Sequence, residues 1–229
     1  MKTVIITGAN GNLGTATVKK FLDEGFRVVG VDGGNNHLDF AMKNENFDMQ
    51  TVNLSNEEET ATFIQNLISR YGKIDAALML VGGFAAGGIA DTKGEDLKKM
   101  FSLNFETAFY TARPLFLHMI EQGYGRLVFV GARPALVATQ GKGLVAYGLT
   151  KSLLFKFAEY LNAEAKGKNV VSSVIVPSTI DTPINRKSMP DSNPADWVKA
   201  EQIAAILSFI CSEDGLPIRE PIYKIYNNA

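Results

Sequence analysis

The sequence predicts an α/β chain: one domain built on a doubly wound sheet of about seven mostly parallel strands, with helices on both faces. Three observations carry that expectation. Short runs rich in Val and Ile alternate with longer segments of helical period, the pattern of successive βαβ units. Runs such as "TVIIT" and "RLVFV" are apolar at nearly every position, as strands covered on both faces require. The 229 residues suffice to bury one sizeable core, and no repeat, low-complexity run or linker divides them.

Each element has its own signal. "TVIIT" (3–7) opens the sheet, and a helix from about Asn12 to Glu24 follows, stopped by Gly25. "RVVGV" (27–31) and "MQTVNL" (49–54) are the next strands. Ser55 with Glu58 reads as a capping box opening a helix that ends near Arg70. "DAALMLV" (75–81) precedes a long helix at 95–121, in which Pro114 predicts a kink. "RLVFVG" (126–131), a helix at 143–166, "VVSSVIV" (170–176), a helix at about 196–211 and "PIYKIY" (221–226) complete the chain.

Composition excludes several classes. A net charge of −1 with no Lys/Arg run provides no field for nucleic acid or an anionic membrane. The single cysteine, Cys211, rules out an internal disulfide framework and suits a reducing compartment. "MKTVIITGAN" has only a short apolar run before its glycine, so no secretory signal and a soluble cytoplasmic location are expected. His37 and His118 stand apart from any zinc-like spacing, so no metal is expected. The methionines read as core filler and Cys211 as inert.

"TGANGNLG" places Gly8, Gly11 and Gly14 directly after the first strand and into the first helix. Glycines let the backbone turn sharply against a pyrophosphate, and a helix N-terminus offers unpaired N–H groups. This is the Rossmann-like arrangement for a dinucleotide, over a binding half at about 1–90 and a catalytic and substrate half at about 91–229. The second strand closes on Asp32, whose carboxylate can accept both ribose hydroxyls and would repel a 2′-phosphate. No Arg or Lys lies within 28–42. NAD(H) is therefore expected, with NADP(H) as the alternative.

"YGLTK" puts Tyr147 one helical turn ahead of Lys151. Residues four apart share a helix face, and an ammonium that close would pull a phenol below its usual pKa of about 10. Such a phenol can act as a general acid while hydride arrives, and the lysine could also hold the nicotinamide ribose.

With these residues in place, the chain resembles the short-chain dehydrogenase/reductase family along essentially its whole length. The resemblance rests on "TGANGNLG", Asp32, "LVGG" at 80–83, Asn104, Tyr147 with Lys151, and Thr182 in "VPSTIDTP". It implies cofactor contacts from Gly8, Asn10, Gly11, Asn12, Leu13, Gly14, Asp32, Asn53, Leu54, Gly82, Gly83, Lys151, Pro177, Ile180 and Thr182. It also implies catalysis by Tyr147 and Lys151, with Asn104 organising a proton-relay water.

Three departures stand out. The middle loop glycine comes early, Pro177-Ser178 replaces the usual "PG", and Gly131-Ala132-Arg133-Pro134 occupies the place of the expected serine. Thr139 is the nearest hydroxyl and is not promoted to that role. These departures, "VGGFAAGG" and above all "DTPINRKSMP" (181–190) are similar to the dihydropteridine reductase branch, which works without the serine and favours NADH.

A quinonoid dihydropterin spreads incoming charge over several heteroatoms and depends less on one hydroxyl. The alternatives are a general carbonyl or alcohol reductase of the 3-oxoacyl type and a non-catalytic dinucleotide sensor. Phe84 and Met189 are candidate substrate contacts, and Arg186 and Lys187 belong to a candidate lid. Phe101, Phe105 and Phe109 stripe the long helix, while Phe155 and Leu161 add apolar surface to the Tyr-bearing one. In relatives these two helices pair across a twofold axis. A homodimer through 95–121 and 143–166, with a small-molecule substrate and neither nucleic acid nor membrane, is the expected set of partners.

Overall fold

A computed structural model of the chain describes residues 1–34 and 38–228, so His37 lies outside the described residues. Strand β1 (Thr3–Thr7), helix α1 (Asn12–Asp23) and strand β2 (Arg27–Asp32) form the first βαβ unit. Strand β3 (Phe47–Thr51), helix α2 (Glu57–Tyr71) and strand β4 (Ala76–Met79) complete the first half. Helices α3 (Gly94–Phe101) and α4 (Thr107–Gln122) lead to β5 (Tyr124–Val130). A single turn, α5 (Arg133–Leu136), precedes α6 (Val145–Glu164) and β6 (Asn169–Pro177). Short α7 (Pro183–Ser188), then α8 (Ala200–Cys211) and β7 (Ile222–Ile225), end the fold.

The seven strands pair in the order β3-β2-β1-β4-β5-β6-β7. Every pair is parallel, β7 included, where the sequence predicts only a mostly parallel sheet. Chain order reverses between β1 and β4, and in such sheets the ligand crevice opens beyond the strand C-termini at that switch.

The sheet is apolar on both faces. Along β1 the side chains alternate, with Ile5 in one core cluster beside Leu127 and Phe129, and Val4 and Ile6 in the other beside Leu78 and Val128. Each such fully buried aliphatic side chain contributes about 1.5–3 kcal/mol. Two covered faces explain why these strands lack a polar alternation.

Three local expectations need correction. Helix α2 is capped by Asn56, whose side chain accepts from the Glu59 N–H at 3.1 Å, in place of a Ser55/Glu58 box. The Glu59 carboxylate accepts from the Asn53 N–H at 2.8 Å, the reciprocal bond displaced along the chain. Strand β3 lies earlier than "MQTVNL", because the ladder to β2 pairs Asp32 with Thr51 and stops there. The long helix is interrupted by a π-helical turn at Ser102–Glu106, while Pro114 lies inside α4 without ending it. A buried asparagine, Asn104, occupies that wide turn, and its tertiary hydrogen bonds outweigh the local preference for an unbroken helix.

Among the described residues no helix is long and apolar enough to cross a membrane, and no three His, Cys, Asp or Glu side chains gather as metal ligands.

Candidate active site

Five strand ends build the site. At the end of β1, Gly8 takes φ +67°, and a Cβ there would lie 3.1 Å from the Val81 nitrogen. The Gly11 N–H donates to the Gly8 carbonyl at 3.0 Å, closing the turn that launches α1. Gly14 crosses the same carbonyl so closely that a Cβ would sit 2.0 Å from it. Asn12 is exposed at the helix start, while Leu13 leans into the core. The loop thus leads closely into the first turn of α1, whose N–H groups fit a pyrophosphate.

Asp32 closes β2 beside this cradle. One carboxylate oxygen accepts from the Asn10 N–H at 3.1 Å and the other from the Gly34 N–H at 3.2 Å. Main-chain donors fix the carboxylate without neutralising it, leaving lone pairs for ribose hydroxyls. Asn53 is exposed just past β3, where the Val52 N–H donates to the Asp32 carbonyl. Leu54 follows it, buried in the core at 5 % exposure.

Beyond β4 the chain runs against the catalytic candidates. Thr7 accepts from the Leu80 N–H at 3.1 Å and ties this segment to β1. Asn104 accepts from the Gly83 N–H at 2.8 Å and donates to Thr150 Oγ1 at 3.3 Å, bridging to α6. Gly82 faces both Asn104 and Lys151: a Cβ there would lie 2.9 Å from Asn104 Oδ1 and 2.9 Å from Lys151 Nζ. Gly82, Gly83, Asn104 and Lys151, scattered in sequence, are therefore one cluster. Phe84, 66 % exposed, packs edge-on against the Tyr147 ring at 5.1 Å.

The electrostatics correct one expectation. Burial pushes the Tyr147 phenol up to about 12 and the Lys151 ammonium down to about 8. Lys151, 4 % exposed, donates to the Val130 carbonyl at the end of β5 at 2.8 Å. Burial sets the direction for both groups, so the phenol is not acidified in this state.

The remaining candidates follow β6. Pro177 ends the strand and is buried, and Ile180 is bridged to Val198. Thr182 caps α7, accepting from the Asn185 N–H at 3.1 Å. Arg186 is held by Asp181 through two hydrogen bonds of 2.6 and 2.9 Å, so it anchors its own turn. Met189 lies just past α7, with no hydrogen bond or ring contact to Tyr147 among the described residues.

A family model described as short chain dehydrogenase matches residues 2–193. The chain belongs to that family. It is accordingly an oxidoreductase of the short-chain dehydrogenase type. It is 30% identical over 228 residues to the dihydropteridine reductase of Dictyostelium discoideum, covering 97% of this chain and 94% of that one. Similarity to the 3-oxoacyl-[acyl-carrier-protein] reductase FabG of Thermotoga maritima is 22% over 227 residues, covering 93% and 91%. The fold also matches an NAD+-bound xylitol dehydrogenase, with TM-score 0.87, 20% identity and 99% and 98% of the two chains covered. For 4-hydroxyisoleucine dehydrogenase complexed with NADH the TM-score is 0.89, again at 20% identity and the same coverage.

Within this short-chain dehydrogenase, the end of β5 has no room for a side chain at its first position. A Cβ on Gly131 would meet Phe155 Cζ at 2.7 Å and Val174 Cγ1 at 2.9 Å. Ala132 is buried, Arg133 stacks on the Tyr226 ring at 4.8 Å, and Thr139 is exposed on a separate turn. Sequence reasoning missed three participants: Thr7, Thr150 and the Val130 carbonyl. Thr150 had a signal, lying beside Lys151 in the same motif. Thr7 and a main-chain oxygen had none, because strand pairing alone brings them in.

Proposed function

We propose that this chain reduces a quinonoid dihydropterin, or a similarly flat conjugated substrate, with NADH as the hydride source. The observation that carries the reading is the edge-on packing of an aromatic ring, Phe84, against Tyr147, with Lys151 one turn along the same helix and bonded to the Val130 carbonyl at the end of β5, where Gly131 follows with a Cβ position filled by Phe155 and Val174. The 30% identity to a dihydropteridine reductase over nearly the whole chain supports it. Relatives at lower identity carry other substrate names, so the pterin is the finer step and NAD(P)-dependent reduction the broader one.

The fixed carboxylate of Asp32 favours a free ribose 2′-hydroxyl over a phosphate, hence NADH over NADPH. The main chain of Gly8, Asn10, Gly11, Asn12, Leu13 and Gly14 would hold the pyrophosphate, and Gly82, Gly83, Pro177, Ile180 and Thr182 the nicotinamide end. A bound reduced nicotinamide supplies the hydride. Tyr147, protonated throughout the neutral range, hands its proton to the substrate. The phenolate then faces the Lys151 ammonium one turn along the helix, in a buried setting where opposite charges attract strongly. Asn104 keeps Gly83 and Thr150 in place around both, and Phe84 offers a flat apolar wall to a heterocycle.

We extend the proposal to a homodimer through α3, α4 and α6, whose outer faces leave Leu97, Phe101, Leu117, Leu149, Leu153 and Tyr160 exposed.

The test is steady-state reduction of quinonoid dihydropterin by NADH, with simple ketones and 3-oxoacyl thioesters as competing substrates. Pterin turnover that falls about 10²–10⁴-fold in Tyr147→Phe is expected. Turnover of ketones alone would overturn the pterin assignment in favour of a general carbonyl reductase, and full activity in Tyr147→Phe would overturn the proton donor.

A further inference from the structure

We propose that a second ligand site, for a small polyphosphorylated anion, lies at the end of the sheet opposite Tyr147. A cavity of about 480 Å³ opens there between the turn after α6 and the segment before β7, within the size range of ligand pockets. Strand β6 spans the distance: Asn169, its first residue, lines the cavity, and Pro177, its last, adjoins the catalytic cleft. Nine residues of strand place the two roughly 25 Å apart.

The lining is cationic. Lys166, Lys168 and Arg219 contribute positive charge, and Glu220 is the one acid among the lining residues. Neither lysine has an ion-pair partner among the described residues. The C-terminal end of α6 would favour lysines through its dipole, but Arg219 arrives from a different segment. Its Nη1 donates to the Leu216 and Ile218 carbonyls at 2.6 and 2.8 Å, which orients the guanidinium and leaves its charge uncompensated. Glu220 beside it adopts φ 53°, a left-handed conformation uncommon for a residue with a side chain. Strain of that kind concentrates at ligand clamps.

A further cation stands behind the wall. Arg126 is 1 % exposed, and its guanidinium donates to the Asn169 carbonyl at 3.1 Å and side-chain oxygen at 3.0 Å. A third bond reaches the Gly125 carbonyl at 2.8 Å, while Nε lacks a partner. No carboxylate pairs with Arg126 among the described residues. A buried cation without a counter-charge is costly, and here it adds its field to three cations on a concave surface. On a concave surface, that concentration of one sign suits a multivalent anion. Lysines supply point charges and an arginine a planar fork, the combination suited to phosphate oxygens.

Calorimetric titration with inorganic tripolyphosphate at constant ionic strength tests the proposal. The wild-type chain should bind it saturably, with affinity reduced at least about tenfold in Lys166→Glu/Lys168→Glu and by a smaller factor in Lys166→Gln/Lys168→Gln. Melting curves without the probe should stay within a few degrees of the wild type for both variants, because both side chains are exposed and a charge at a helix end contributes only about 0.3–1 kcal/mol. No saturable binding, equal affinity in all three chains, or binding abolished by saturating NADH would each overturn the proposal, the last by placing the probe at the glycine loop.

Discussion

Replacing Lys151 by methionine separates the cost of a buried charge from everything else in the site. In the folded chain the ammonium titrates at about 8 where its ordinary value is 10.5, because burial disfavours the charged form. At 4 % exposure little solvent screening remains. The gap corresponds to about 3 kcal/mol of stability lost to keeping the lysine charged. The sign follows from proton counting. Between about pH 8 and 10.5 the unfolded chain binds more protons than the folded one, so stability rises with pH across that window.

The penalty is full below pH 8 and gone above 10.5. Methionine of similar length removes the titration and also leaves the Val130 carbonyl without its 2.8 Å donor, an offset of about 1–3 kcal/mol that does not vary with pH. Urea unfolding of both chains at several pH values measures the difference directly. The wild type should gain about 3 kcal/mol on the variant across that window. A difference that stays flat would mean that Lys151 titrates in the fold as it does in water, and the argument for a desolvated catalytic lysine would fail.

Reductase activity should fall as pH rises through about 8, since the phenolate formed on Tyr147 loses the Lys151 charge that stabilises it; a rate profile level to pH 10 would contradict this. Gly14→Ala should abolish dinucleotide binding measured by fluorescence titration, because its methyl would lie 2.0 Å from the Gly8 carbonyl and the loop must move. Gly131→Ser should destabilise by about 1–3 kcal/mol in thermal unfolding without raising ketone turnover, since Phe155 and Val174 occupy the space. Asn104→Ala strips the Gly83 N–H and Thr150 of a partner and should cost about 1–3 kcal/mol, with kcat falling and no new pH dependence.

Much of this was legible in the chain of letters. Uninterrupted apolar strands announced a sheet covered on both faces, and the glycines at 8, 11 and 14, Asp32, Tyr147 and Lys151 lie where local pattern put them. These features depend on short-range geometry: a tight turn, a strand end, one helical turn. Position 131 also reads as glycine at once, but only the packing of Phe155 and Val174 explains why nothing larger fits. The π-helical turn at Ser102–Glu106 was invisible, because it exists to deliver Asn104 to Gly83 and Thr150, partners distant in sequence. The shift of the Tyr147 phenol was read with the wrong sign for the same reason. Proximity along a helix can be counted from residue numbers, whereas desolvation depends on every neighbour the folded chain packs around the pair.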